Sequence, residues 1–91
     1  MNSKKYLITY SLKTTNWNYT GFFGAVQNLG TWWHFIDSTW IVKNTNFASS
    51  QEVYTLLAPH LSKNDFILVV EIVPGTSFGW LPKAAWDWIN S

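Results

Sequence analysis

The chain has no cysteine and no arginine. The first absence excludes disulfides, thiolate metal sites and cysteine nucleophiles. The second removes the planar fork that grips phosphates and guanine edges in pairs. All six basic residues are lysine, in a chain of net charge +1, so duplex nucleic acid is a poor partner. Charge of either sign is scarce, at 12% of residues, where about a quarter is ordinary for a soluble domain. No apolar run nears the roughly 20 residues of a membrane-spanning helix, and no membrane role is expected. Residues 1–10 carry two lysines, but the apolar run after them is short and broken by Thr9 and Ser11. That segment reads as a strand rather than a secretory signal, and the expected location is cytoplasmic.

What the chain has instead is aromatic surface. Seven of its 91 residues are tryptophan, and 19% are aromatic. Its length suits a single domain, 1–91, burying about 60–65% of the surface its unfolded chain exposes. A small domain with few charges must present a largely neutral surface. Such a surface favours an oligomer or awaits a partner.

Residues 4–12 are rich in β-formers and read as a first strand, with Tyr6, Ile8, Tyr10 and Leu12 on one side. Tyr19, Phe22, Phe23, Val26 and Leu29 form a helical stripe over 18–29, which Gly30 should stop. Two strands follow, 31–36 and 39–44, around a tight turn at Asp37 and Ser38. Ser49 and Glu52 make a capping box that opens a second helix, running to about His60. Residues 66–73 are almost continuously apolar, which predicts a central strand covered on both faces. Pro82 suits the start of a short helix over 82–89. The order is β-α-β-β-α-β plus a tail helix. That is the α+β ferredoxin-like sandwich, an antiparallel four-stranded sheet with two helices on one face. Its other face is bare unless something covers it.

Candidate chemistry is sparse. Asp65 and Asp87 read as solvated positions, Glu52 as a cap and Asp37 as a turn residue. Glu71 interrupts the most apolar strand, so it must be paired, lie at an edge or serve a site. His34 lies in an aromatic run and reads first as a hydrogen-bonding group, and His60 as structural. No metal-ligand spacing stands out, no nucleophile elbow supports a triad, and no catalytic residue, metal or cofactor is assigned. The tryptophans are the strongest signal. Adjacent strand residues face opposite ways, so Trp32 and Trp33 cannot both face the helices. The aromatic excess fits a dimer interface or a stacking pocket for a base, and the two are compatible.

Strand one, the string Leu29-Gly30-Thr31-Trp32-Trp33-His34 and the string Asp37-Ser38-Thr39-Trp40-Ile41-Val42-Lys43 together resemble the SinR-like family of small bacterial proteins. That family is related to CRISPR-associated protein 2 and the VapD-like proteins. The resemblance covers nearly the whole chain and implies a ferredoxin-like dimer. In the nuclease branch, an aspartate near the end of strand one binds a metal ion between subunits. Relatives commonly read Tyr-Asp-Leu there, whereas this chain reads Tyr10-Ser11-Leu12. Serine is a poor magnesium ligand without carboxylate support.

The expected function is therefore a non-enzymatic homodimer or higher oligomer that holds a nucleotide-like small molecule by aromatic stacking. A phage-encoded sponge for a cyclic-nucleotide or ADP-ribose-type immune signal would fit that description. The candidate ligand-binding residues are Tyr10, Ser11, Trp17, Trp33, His34, Ser38, Thr39, Trp40, Lys43 and Glu71. The alternative is a divergent metal-dependent nuclease or phosphodiesterase of the CRISPR-associated protein 2 type, with Glu71 or Asp37 replacing the missing aspartate.

Overall fold

A computed structural model describes residues 4–43 and 46–91. Its elements run β1 (Lys5–Ser11), α1 (Thr20–Gln27), β2 (Thr31–Ile36), β3 (Thr39–Lys43), α2 (Ser50–Leu57), a 3-10 turn (Ala58–His60), β4 (Phe66–Ile72) and α3 (Lys83–Ile89). The four strands form one antiparallel sheet in the order β2-β3-β1-β4, the ferredoxin-like arrangement. Position 44, the expected end of the third strand, lies outside the described residues.

The alternation of β1 sorts the sheet into two faces. Tyr6 and Ile8 point towards α1 and α2 and are fully buried with Phe22, Val26, Val42, Val53 and Leu57. Each large side chain buried in this way contributes about 1.5–3 kcal/mol of transfer free energy. Both helices are set locally. The Ser49 hydroxyl accepts from the Glu52 N–H at 3.4 Å, and the Glu52 carboxylate accepts from the Ala48 N–H at 2.6 Å. These contacts satisfy donors that open the first turn of α2. At the other end Pro59 cannot continue the α-helix, and the chain tightens into the 3-10 turn. Helix α1 stops at Gln27, earlier than Gly30, and caps on Asn28.

The β2–β3 turn needs one left-handed residue, and Ser38 supplies it at φ 57°. Its carbonyl accepts from the Tyr10 N–H and the Thr9 hydroxyl, each at 3.2 Å, which locks the hairpin against β1.

The second face carries Leu7, Ile41 and Trp33, half of it roofed by α3. Ala85 and Ile89 of that helix are buried against Trp33 and Ile41. Pro82 stands just before α3, as its fixed φ favours.

One expectation fails. The run 66–73 is not central and not covered on both faces: β4 is an edge strand, paired among the described residues only to β1. Its near-continuous apolar run reflects burial of Ile67 and Val69 on the helix side, while Phe66, Leu68 and Val70 remain exposed on the other.

Candidate functional site

Three features compete as a site: the aromatic hairpin, the open half of the sheet and a carboxylate hub at Asp65.

On the helix side the hairpin gathers Trp32, His34 and Trp40. Trp40 is 4% exposed. Its Nε1 donates to the Tyr10 hydroxyl at 2.8 Å, and its ring meets Phe23 and the edge of Trp32. His34 lies flat on it, with centroids 4.0 Å apart and planes 2° from parallel. The His34 Nδ1 sits 2.8 Å from the Thr39 carbonyl, which can only accept, so that nitrogen carries the proton. Burial raises the pKa of Tyr10, against the lowering effect of the Trp40 hydrogen bond. The stacking surface of Trp40 is therefore filled from within the chain.

Trp33 goes to the opposite face, as strand alternation requires. It is 3% exposed beneath α3 and meets Phe35 edge-on at 5.2 Å. Its indole N–H is buried with no hydrogen-bond partner among the described residues.

The remaining candidates disperse. Trp17 lies in the loop before α1, half-exposed, with its Nε1 donating to the His60 carbonyl at 2.9 Å. Lys43 reaches the tail: Nζ donates to the Trp88 carbonyl at 3.1 Å and to the Ser91 hydroxyl, and lies 4.2 Å from the Trp88 ring centroid. Burial lowers its pKa, with the Lys5 charge adding to the effect. Glu71 stands at the β4 edge, 3.6 Å from the Lys4 ammonium. Ser38 occupies the turn. Ser11 and Thr39 lie on the second sheet face beside Thr9, whose hydroxyl is 3.3 Å from that of Thr39. The structure thus brings Tyr10, His34 and Trp40 together, places Ser11 and Thr39 on the open face, and separates Trp17, Lys43 and Glu71 from both.

Sequence reasoning expected a bare sheet face but did not place Phe35, Phe66 or Leu68 on it. Register places Phe66 opposite Ser11, Leu68 opposite Thr9 and Val70 opposite Leu7, all on one side of the sheet. Phe66 is 67% exposed and Phe35, on the far edge strand, 80%. Between Phe35 and the start of α3 lies a hollow of about 370 Å³ lined by Leu81, Pro82, Ala84 and Ala85. Typical ligand pockets run from roughly 300 to 1,000 Å³. A topological signal was present: in a βαββαβ order the last strand is an edge, however apolar it is.

Asp65 was also misjudged as solvated. Its carboxylate accepts from the Lys13 N–H (2.7 Å), the Tyr19 hydroxyl (2.7 Å) and the Ser62 N–H (2.8 Å). Burial pushes its pKa up, but these hydrogen bonds outweigh it and hold the carboxyl below its ordinary value. The hub ties the loop before α1 to the loop before β4 and leaves little capacity for a ligand. Among the described residues, no three of His, Asp and Glu gather where they could hold a metal ion.

No family model, curated protein or solved structure matches this chain.

Proposed function

We propose that this is a non-enzymatic, homo-oligomeric binding protein that holds a nucleotide-like small molecule on its open sheet face. The observation that carries the reading is the make-up of that face. Exposed rings at Phe35 and Phe66 bracket hydroxyls at Thr9, Ser11 and Thr39. A base stacks on an aromatic ring with little regard to its identity, for about 1–3 kcal/mol. Hydroxyls both donate and accept, which suits ribose and phosphate oxygens. The hollow beside Phe35 gives a planar group somewhere to enter. Four of the five carboxylates are engaged within the chain, which supports binding over turnover. Asp65 accepts from Lys13, Tyr19 and Ser62, Glu71 pairs with Lys4, Glu52 caps α2 and Asp87 pairs with Lys83 at 2.9 Å. Sequestering a cyclic-nucleotide or ADP-ribose-type signal is an activity such a surface would serve, and it agrees with the SinR-like resemblance and with Ser11 in place of aspartate.

Calorimetry against nucleotides, cyclic dinucleotides and ADP-ribose tests the proposal. The expected result is heat with at least one of them, lost in Phe35→Ser. Silence across the panel overturns it. So does cleavage of RNA, DNA or a cyclic dinucleotide in Mg²⁺ or Mn²⁺, which would restore the nuclease reading.

A further inference from the structure

The two edges of the sheet differ in a way that bears on assembly. Strand β2 is irregular: its register with β3 shifts between Trp33 and Ile36. Strand β4 has seven consecutive residues in unbroken register with β1. It contains no proline, no lysine and no bulge, three devices that keep an edge from pairing, and Glu71 is its single charged residue.

The backbone groups on that edge can be assigned. The Tyr10 N–H donates to the Ser38 carbonyl, so even-numbered residues of β1 direct their N–H and C=O towards β3. Alternation in an antiparallel ladder then turns Lys5, Leu7, Thr9 and Ser11 towards β4. Their partners Ile72, Val70, Leu68 and Phe66 point back at them. Ile67, Val69 and Glu71 are left with N–H and C=O directed outwards, in a strand whose one neighbour among the described residues is β1.

We infer that two copies of this chain join through β4, antiparallel, with Val69 on the two-fold axis and the two sheets continuous. That register pairs Val69 with the partner's Val69, and Ile67 with the partner's Glu71 in both directions. On the order of six backbone hydrogen bonds form. The arrangement is self-complementary, as a two-fold contact must be. On the open face it sets Leu68 beside the partner's Val70 and Phe66 beside the partner's Ile72, so each apolar side chain meets another. Charge permits it. Each Glu71 lies opposite an isoleucine, about 13 Å along the strand from the other Glu71, beyond a screening length of about 8 Å. With a net charge of only +1, the copies repel one another weakly. The inference deepens the oligomeric part of the proposed function and depends on it.

The test measures mass and amide exchange on the full chain. Sedimentation equilibrium should give twice the 10.5 kDa chain mass. Val69→Pro should halve it while leaving the circular dichroism unchanged. The proline removes an N–H that faces away from β1, a position where an edge strand tolerates it. In the wild type, the Ile67, Val69 and Glu71 amides should exchange slowly and speed up on dilution. That measurement stands even if the proline variant fails to fold. Phe35→Ser, three strands away, should remain a dimer. The inference is overturned by a monomer at every concentration, by fast exchange at those three amides within a dimer, by a dimer that survives Val69→Pro, or by one that Phe35→Ser dissociates. A monomer that still takes up a nucleotide overturns the pairing and leaves the ligand reading standing. A β4-paired dimer with no nucleotide heat does the reverse.

Discussion

Trp33 and Trp40 offer a comparison within one hairpin. Both are buried to nearly the same degree, on opposite faces of the sheet. Replacing either by phenylalanine removes a similar piece of indole, so the transfer and cavity losses largely cancel between them. The nitrogens differ. The Trp40 N–H donates to the Tyr10 hydroxyl, so Trp40→Phe loses a hydrogen bond with a net contribution of about 1 kcal/mol. The Trp33 N–H has no partner among the described residues, so Trp33→Phe removes a desolvation penalty of at least about 1 kcal/mol. Trp33→Phe should therefore be the less destabilising variant by about 2 kcal/mol. With a urea slope of about 1 kcal/mol/M for so small a domain, the midpoints should differ by about 2 M. Urea unfolding followed by far-ultraviolet circular dichroism, at one protein concentration for both variants, reads this directly. Equal midpoints, or a lower one for Trp33→Phe, would refute the assignment of hydrogen-bonding state to the two indoles.

Three further outcomes are expected. Asp65 titrates in the folded state below its ordinary value of 3.8, so its stabilising contribution is full above that value and disappears as pH falls through the folded one. Urea midpoints should drop for the wild type between about pH 5 and about pH 2, and Asp65→Asn should be weaker at neutral pH with a flatter acid limb. Gly24→Ala should raise the thermal midpoint, since nothing lies within 4 Å of the added carbon and alanine is favoured in a helix interior by about 0.5–1 kcal/mol. Gly21→Ala should gain less or lose, because the His60 ring lies 3.1 Å from the new carbon. Ile89→Ala should destabilise by about 2–4 kcal/mol and expose Trp33, read as a red shift in tryptophan emission.

The elements that the sequence made legible are those with local causes. The stripe of α1, the Ser49–Glu52 cap and the Asp37–Ser38 turn each depend on residues a few positions apart. The opposition of Trp32 and Trp33 follows from the period of a strand. What escaped was long-range. Composition placed residues 66–73 in the centre of the sheet, because a run with both parities apolar looks the same whether the second face is covered or bare. Asp65 resembled a solvated turn residue because its partners Lys13 and Tyr19 lie some fifty positions away. Lys43 read as a ligand-binding residue, whereas the tail returns to hold it. The candidate site suffered most. Ring faces count as binding surface only if no neighbour already occupies them, and His34 occupies Trp40.

The irregularity in β2 sets a limit on growth. A sheet with two regular edges can recruit copies at both ends and polymerise without a stopping point. Here the register shift at Trp33–Ile36 spoils one end as a template, while a two-fold contact at β4 would consume the other. Chain addition would terminate at eight strands. A protein with a half-open apolar sheet face would then remain a closed particle of fixed stoichiometry rather than seed a fibre.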